Sequence, residues 1–308
     1  MNDIYQKTLA SKVVFKGTGL HSGKPSTLKL IPSQENSGIV FKRVDLEQNN
    51  LINANYTNVT STKLCTTLEN SFGTKVSTVE HLLAAVYIYG IDNLIIEIDN
   101  EEVPIMDGSA KIFLENLSKV ELINQSEKRK YLKVIDKVEL LDGERKMSIE
   151  PSHESLEIDF QLNYENKIIG KQRNKFNFLK DNIKDISDSR TFCLHKDIEK
   201  IKNLGLAQGG SLDNAVVVDD NKVLNLGGLR NKKEFVNHKI LDLLGDFILS
   251  GYRILGKVKC YQGGHLLTNM FLRKLMKSYN HYYIKNLTNI TLNKKINSER
   301  KIQLASNA

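Results

Sequence analysis

A histidine and two carboxylates recur at a regular spacing between residues 231 and 251. His238 and Asp242 are four residues apart, and Asp246 follows four residues later. In a helix this spacing places the side chains on one face, where an imidazole nitrogen and a carboxylate oxygen can bind one zinc ion. The same spacing also occurs in ordinary solvent-exposed His–Asp pairs, so the pattern alone leaves both interpretations open.

A glutamate directly precedes a histidine at Glu80-His81. Ser77 and Glu80 have the spacing of a capping box, in which the glutamate would only close the start of a helix. Alternatively, a glutamate beside a metal-binding histidine can take a proton from an activated water. Local sequence does not decide between these two roles.

Two further segments carry groups that could transfer protons or donate hydrogen bonds. His265 follows the paired glycines Gly263-Gly264, which allow close backbone approach and an exposed imidazole, although an ordinary turn has the same appearance. The hydroxyl of Thr191, in Ser189-Arg190-Thr191-Phe192, could donate to a developing oxyanion. Without its context, the same segment is only a strand end.

The elements that must position these groups alternate between strands and helices. In the first half, alternating and helical periods predict strands at Thr8–Phe15, Ser26–Ile31, Ile39–Arg43, Leu64–Leu68 and Ile91–Ile98, and helices at Val79–Val86 and Ala110–Lys119. The second half repeats this order, with strands at Tyr131–Leu141, Lys146–Glu150, Ser155–Leu162 and Gly256–Tyr261, and helices at Asp197–Leu204, Asn231–Gly251 and Leu266–Lys277. The pattern predicts two similar α+β halves that divide near residue 128.

Composition limits the classes of protein. The 308 residues are enough for one large domain or two ordinary ones, the 40% that are hydrophobic allow a substantial core, and the net charge is +8. Much of the cation excess lies between Arg273 and Lys301, so nucleic-acid or anionic-membrane binding remains a competing class. Three separated cysteines indicate a reducing compartment. With no signal-peptide pattern and no apolar run of about 20 residues, we expect a cytoplasmic protein with at most peripheral membrane contact.

Several short motifs occur in an order typical of one enzyme family. They are Gly17-Thr18-Gly19-Leu20-His21-Ser22-Gly23, Thr78-Val79-Glu80-His81-Leu82, Ile91-Asp92-Asn93, Pro104-Ile105-Met106-Asp107-Gly108-Ser109, Ser189-Arg190-Thr191-Phe192, Gly209-Gly210-Ser211-Leu212-Asp213-Asn214-Ala215, His238-Lys239-Ile240-Leu241-Asp242 and Gly264-His265. As an ordered set, they make the chain resemble the UDP-3-O-acyl-N-acetylglucosamine deacetylases, which act in lipid A synthesis. Two positions depart from the pattern: Cys193 replaces a common glycine, and Leu64-Cys65-Thr66 replaces an arginine-containing version. We expect both changes to affect the shape of the acyl channel.

The resemblance implies an α+β fold of two similar domains, each a small sheet layered with helices, with the helices sandwiched between the two sheets. The domains would span residues 1–127 and 128–278, with an insert near 193–218 lining a channel for the acyl chain. Residues 279–308 match no part of the family pattern. Their composition, rich in Asn, Lys and Tyr, predicts a basic tail that is poorly ordered past about residue 290.

The resemblance also implies the site. One zinc ion per chain would be bound by three ligands, His81, His238 and Asp242, with ferrous iron as an alternative. Glu80 would be the general base. The remaining catalytic groups would be Thr191 at the oxyanion, His265 as a cationic general acid, and Asp246 orienting that histidine.

Substrate contacts follow from the same resemblance. Lys239 would face the anionic part of the UDP-linked acylated glucosamine, with Phe192, Arg145 and Phe160 as further contacts. Arg145 could instead be a solvated turn charge, and Phe160 a core residue. His21 has no assigned role. We expect a monomer that acts on a small molecule and binds no nucleic acid, and a zinc amidase for another acylated amino sugar is the alternative.

Overall fold

A computed structural model describes residues 4–152 and 155–286, which form two α+β halves. The strands of the first half are β1 (Tyr5–Leu9), β2 (Val13–Thr18), β3 (Pro25–Pro32), β4 (Ile39–Arg43), β5 (Leu51–Asn53), β6 (Val59–Ser61), β7 (Thr67–Glu69), β8 (Lys75–Val76), β9 (Leu94–Ile98) and β10 (Leu122–Lys128). Its helices are α1 (Glu80–Tyr89) and α2 (Lys111–Leu117).

The second half has the same kinds of element. Its strands are β11 (Lys130–Val134), β12 (Val138–Asp142), β13 (Arg145–Glu150), β14 (Leu156–Asn163), β15 (Lys171–Asn177), β16 (Phe192–Leu194), β17 (Val216–Val218), β18 (Arg253–Tyr261) and β19 (Tyr282–Asn286). Its helices are α3 (Lys184–Ser187), α4 (Ile198–Asn203), α5 (Glu234–Phe247) and α6 (His265–Lys277). Within the described residues, no helix combines the length and apolar character needed to cross a membrane.

The first sheet has the strand order β2-β3-β9-β4-β5, with β4 and β9 parallel and the other neighbours antiparallel. In β3 the buried side chains alternate with exposed or half-buried ones, as a sheet with one covered face requires. Phe15 of β2 packs edge-on against Phe113 of α2, with ring centroids 5.1 Å apart. Helix α2 therefore packs on one face of the sheet, and α1 packs beside α2.

The second sheet is organised around β18. Residues 253–255 of β18 pair in parallel with β11, and its remaining residues lie between β13 and β14. On the other side of β11 is β19, which runs antiparallel to it. Helix α5 packs on β14 and β15, and α6 packs on β12 and β13.

Helices α1 and α5 pack together in the middle of the molecule. Gly245 of α5 allows this, because a Cβ at that position would lie 2.0 Å from the backbone oxygen of Glu80. Since the helices of both halves lie between the two sheets, the predicted α+β architecture is confirmed. Nearly every side chain of α5 is buried, including its histidine and aspartates. Buried ionisable groups are costly unless they are paired or bind a metal, which points to this helix as a functional element.

Several predicted elements are divided differently. The predicted strand Thr8–Phe15 is split by a bend at residues 10–12 into β1 and β2, and Tyr131–Leu141 is split into β11 and β12. Leu64 has a left-handed φ of 64°, so no strand runs through it and β7 begins at Thr67. The alternation of hydrophobic and polar residues shows which side chains are buried but not where the chain bends. Two strands joined by a bend can therefore have the same pattern as one long strand.

The predicted tail also starts too early. Residues 282–286 form β19 inside the second sheet, so the folded chain passes the expected boundary at 278. The polar composition that suggested a tail belongs to an edge strand whose residues are all exposed or half-buried. The prediction of poor order past about residue 290 lies outside the described residues.

Candidate active site

Three predicted metal ligands converge where α1 meets α5. His81 comes from the first turn of α1, and His238 and Asp242 lie one turn apart on α5. Their ligand atoms all lie within 4.8 Å of one another. The Oδ1 atom of Asp242 is 3.3 Å from Nε2 of His238 and 3.6 Å from Nε2 of His81. The two ligands spaced i,i+4 on α5 are thus joined by a third ligand, His81, from the other half of the molecule.

The groups around these ligands fix their orientation. The Nδ1 atom of His238 lies 3.1 Å from the backbone oxygen of Ser189, to which it can donate, and its Nε2 faces Asp242. Lys239 donates to Oδ2 of Asp242 at 3.0 Å. Among the described residues, the buried Oδ1 of Asp242 has no hydrogen-bond donor. A buried acceptor beside two imidazole nitrogens fits a divalent cation, and two nitrogens with one oxygen form a donor set suited to zinc.

The electrostatics keep the ligands in metal-binding protonation states. Burial lowers the pKa of His238 to about 3, so its imidazole is neutral. Burial alone would raise the pKa of Asp242, but the adjacent His238 and Lys239 outweigh it and hold this pKa well below its usual range. A neutral imidazole and an ionised carboxylate are the forms that bind metals.

Glu80, the first residue of α1, does not cap its helix. Its Oε2 accepts a hydrogen bond from the backbone N–H of Thr66 at 3.1 Å, and the Ser77 hydroxyl donates instead to the backbone oxygen of Glu101. The capping-box interpretation of this segment is therefore wrong. Burial raises the pKa of Glu80, with His265 and His81 offsetting part of the rise. A buried carboxylate with a raised pKa, beside the metal ligands, has the properties of a general base.

His265 begins α6 directly after Gly264 and faces Glu80. Its Nε2 lies 3.6 Å from Oε1 of Glu80, and its Nδ1 lies 2.9 Å from Oδ2 of Asp246. Burial by itself lowers the pKa of His265, but the carboxylates of Asp246 and Glu80 outweigh it and raise this pKa to about 10. A cationic imidazole held in this way can donate a proton from Nε2.

Thr191 is held between the two halves by its backbone. Its N–H donates to the backbone oxygen of Gly108 at 2.7 Å, and its own carbonyl oxygen accepts from Val216. Gly108 has a φ of 82°, and a Cβ there would lie 1.9 Å from the backbone oxygen of Asn214. This crowding requires glycine and brings the Pro104–Ser109 motif of the first half against the second half.

The neighbouring Arg190 ties the same segment to α5. Its Nε donates to Oε1 of the fully buried Glu234 at 2.8 Å. Asn231 and Glu234 also have the spacing of a capping box, but Glu234 binds this arginine and does not close its own helix. Helix α5 begins at residue 234, three residues after the predicted start. The ion pair sets the start of α5 relative to Thr191.

Lys239 and Phe192 lie together at the edge of the ligand cluster. The ammonium of Lys239 is 5.4 Å from the centre of the Phe192 ring, which packs edge-on against Phe235 at 5.0 Å. Burial alone would lower the pKa of Lys239, but Asp242 outweighs it and raises that pKa. Lys239 therefore remains a cation beside the metal ligands.

One pocket brings most of the predicted groups together. It is lined by Leu20, His21, Leu64, Thr78, Glu80, His81, Thr191, His238, Lys239, Asp242 and His265. Two predicted substrate contacts lie elsewhere. Arg145 forms an ion pair with Asp142 at the β12–β13 turn, and Phe160, 2% exposed, packs in the core. The burial of Phe160 corresponds to the core alternative, because a ring so enclosed has no free face for a ligand.

Some residues that shape the pocket were not singled out from the sequence. The buried carboxylate of Glu102 accepts hydrogen bonds from the backbone N–H groups of His21 and Ser22, at 2.8 and 2.7 Å, and from the Thr78 hydroxyl at 2.9 Å. It thereby holds His21 at the pocket wall. In the sequence, Glu101-Glu102 has the appearance of a solvated acidic pair, so no local signal distinguishes it.

Comparisons with known proteins agree with this geometry. Residues 6–277 match the family model described as LpxC: UDP-3-O-acyl N-acetylglycosamine deacetylase. A UDP-3-O-acyl-N-acetylglucosamine deacetylase of a Nitratiruptor species is 41% identical over 280 residues, covering 91% of this chain and 93% of the relative. The protein with that name in Pseudoalteromonas translucida is 44% identical, with 89% and 91% covered, and that in a Geobacter species is 44% identical, with 89% and 90% covered.

Proposed function

The chain belongs to the UDP-3-O-acyl-N-acetylglucosamine deacetylase family, and from that membership we propose how the residues of its pocket carry out the reaction. The enzyme removes the N-acetyl group of UDP-3-O-acyl-N-acetylglucosamine by hydrolysis, in the synthesis of lipid A. Water adds to the acetamide carbon, the carbon–nitrogen bond breaks, and acetate and a free amine are released. The convergence of the three metal ligands with a buried glutamate and a cationic histidine is the observation that carries the mechanism below.

Zinc is the metal we propose for the cluster of His81, His238 and Asp242. Two imidazoles and one carboxylate are typical catalytic zinc ligands and leave a coordination position open, while ferrous iron is the alternative for the same set. Bound by these residues, zinc would supply the Lewis acidity needed to activate water near neutral pH and to polarise an amide carbonyl.

Glu80 acts as the general base. Its Oε2 is held by the Thr66 N–H, so the other oxygen, Oε1, remains free to take the proton of the attacking water. Its burial raises its pKa, which makes it a stronger base than an exposed glutamate. A base of this kind contributes about 10²- to 10⁴-fold to the rate.

His265 acts as the general acid. The Nε2–H group faces the same space as Oε1 of Glu80, at 3.6 Å, so a proton can reach the departing nitrogen from a position next to the base. Asp246, hydrogen-bonded to Nδ1, orients the ring and stabilises its positive charge. An acetamide needs this step because an unprotonated amine is a poor leaving group.

Thr191 and Lys239 contact the substrate in this proposal. The hydroxyl of Thr191 makes no hydrogen bond with the described residues and lines the pocket, so it is free to donate to the developing oxyanion. Lys239 attracts the anionic part of the substrate, and Phe192 packs beside it. The insert formed by β16, α4 and β17 lines the path of the acyl chain.

We propose that the protein works as a monomer in the cytoplasm. Every group assigned above comes from one chain, so no second copy is needed to complete the site. The three cysteines are free thiols, as a reducing compartment permits. The partner is a small UDP-linked sugar.

A matched pair of variants tests the division between base and ligand. Glu80→Gln should retain the metal and lose about 10²- to 10⁴-fold in kcat for acetate release. His238→Ala should lower the metal content itself, measured by elemental analysis after gel filtration. Treatment of the wild-type enzyme with dipicolinate should abolish acetate release, and added zinc should restore it. Equal metal loss in both variants, or full activity without metal, would refute the assignment.

A further inference from the structure

Thr66, on the loop before β7, contacts both partners of the proposed proton transfer. Its backbone N–H donates to Oε2 of Glu80 at 3.1 Å. Its hydroxyl donates to Oδ1 of Asp246 at 2.7 Å, and the same oxygen lies 3.1 Å from Nδ1 of His265. The residue is 1% exposed, so water does not compete for these bonds.

The direction of these hydrogen bonds determines which nitrogen of His265 keeps its proton. A hydroxyl has a single hydrogen, and Thr66 gives it to Asp246, so its oxygen presents a lone pair toward Nδ1. Oδ2 of Asp246, 2.9 Å from Nδ1, is also an acceptor. Because both neighbours of Nδ1 are acceptors, Nδ1 stays protonated. The proton that can leave is therefore on Nε2, which faces Glu80.

We propose that Thr66 is a positioning residue, whose hydroxyl holds the Asp246–His265 pair in the geometry that directs Nε2 of His265 into the pocket. The backbone N–H of the same residue holds Glu80, so a single residue of the first half sets the distance between base and acid. This inference rests on the roles proposed above for Glu80 and His265.

The position of Thr66 also gives the segment Leu64-Cys65-Thr66 a role beyond the one predicted from the sequence. This segment differs from the family pattern, and the sequence alone predicts an effect on the acyl channel. Leu64 does line the pocket, but its left-handed φ of 64° turns the chain so that Thr66 points at Asp246. The segment therefore acts on the proton-transfer groups as well as on pocket shape.

Thr66→Val is the direct test, because valine has nearly the same shape, keeps the backbone N–H and lacks the hydroxyl. We expect kcat for acetate release to fall about tenfold to a hundredfold, as the loss of a hydrogen bond to a charged group implies. The KM and the metal content should stay within about twofold of the wild-type values, since no ligand or substrate contact is removed. Thr66→Ser, which restores the hydroxyl, should recover kcat to within about threefold of the wild type.

Thr8→Val is the matched control. Thr8 is also buried, and its hydroxyl donates to the backbone oxygen of Asn93 at 2.7 Å, far from the pocket. This control should lose thermal stability but not kcat. If Thr66→Val keeps its kcat, or if Thr66→Ser loses as much as Thr66→Val, the hydroxyl has no positioning role and the inference is overturned.

A double-mutant cycle separates action through Asp246 from general damage. In an Asp246→Ala background, Thr66→Val should change kcat by less than about threefold, because the group it positions is already gone. Fully additive losses would overturn the inference. If Thr66→Val does not fold, Thr66→Ala replaces it: a drop in kcat of about tenfold or more that Thr66→Ser does not share supports the inference, and a kcat within about twofold of the wild type overturns it. Full activity of Glu80→Gln or His265→Gln would instead refute the proposed function.

Discussion

Replacement of Gly245 by alanine should damage catalysis without touching any catalytic side chain. The new Cβ would lie 2.0 Å from the backbone oxygen of Glu80, and even the shortest contacts of real Cβ atoms are 3.0 Å. Helices α1 and α5 must therefore separate by about 1 Å, since a packed core offers no free space. The separation moves Glu80 and His81 together, away from His238 and Asp242.

The sizes of the opposing effects decide the outcome. Alanine gains up to about 1 kcal/mol over glycine in a helix, whereas overpacking of a core costs about 1–3 kcal/mol. The net effect on the free energy of unfolding is thus a modest loss. The effect on the reaction is larger, because a displacement of about 1 Å in a catalytic group costs about 10²-fold in rate.

Steady-state acetate release, elemental analysis and thermal unfolding together measure these effects. Gly227→Ala is the matched control, because a Cβ there would meet no heavy atom within 4 Å and the backbone has no left-handed φ. We expect wild-type kcat in the control and a drop of about 10²-fold for Gly245→Ala, with folding retained. A kcat for Gly245→Ala within about twofold of the wild type would show that the helix contact does not set the position of the base.

Further substitutions test the framework around the site. Arg190→Met leaves Glu234 buried without its cation, so the free energy of unfolding in urea should fall by about 3–5 kcal/mol. The double variant with Glu234→Met should recover much of this loss, and an equal loss in the single and double variants would count against the ion pair. The hydrogen bond from Arg173 holds the pKa of Asp159 in the folded protein below its usual range. This pair therefore stabilises the fold above the pKa of an unfolded aspartate, about 3.9, and the stabilisation is lost as the pH falls through the lower pKa of the folded state. Arg173→Gln should therefore lower the free energy of unfolding only slightly at about pH 7, because the arginine is exposed to solvent, and should flatten its pH dependence below about pH 4. An unchanged acid profile would contradict this. Phe160→Ala should lower the free energy of unfolding by about 3–5 kcal/mol with little change in KM, whereas a raised KM without loss of stability would restore Phe160 as a substrate contact.

Periodicity and motif order predict much of the architecture. The pattern places β4 at its observed bounds and α6 to within one residue of its start. These elements have one buried face and one exposed face, so the spacing of their hydrophobic residues predicts their secondary structure and bounds. The His-x-x-x-Asp spacing is ambiguous alone, and the family resemblance supplies the third ligand, His81, from a different half of the chain.

The features that could not be predicted depend on partners distant in sequence. The Thr66 hydroxyl binds Asp246, 180 residues further along the chain, and Glu102 binds His21, 81 residues before it. Glutamates at capping-box positions 80 and 234 bind tertiary partners, because a buried carboxylate gains more from strong donors inside the fold than from its own helix end. Propensity and spacing contain no information about such distant contacts.

Within the described residues, the first and last strands of each half are neighbours in a sheet, and this has a consequence for synthesis on the ribosome. Strand β1 pairs with β10, and β11 pairs with β19, so the first strand of each half waits for the last. At about 5–20 residues per second, β1 stays without β10 for roughly 6–24 s, and the edge of β11 that pairs with β19 stays open for roughly 8–30 s. During those intervals the nascent chain exposes strand edges to neighbouring chains, which makes early chaperone binding valuable for this fold.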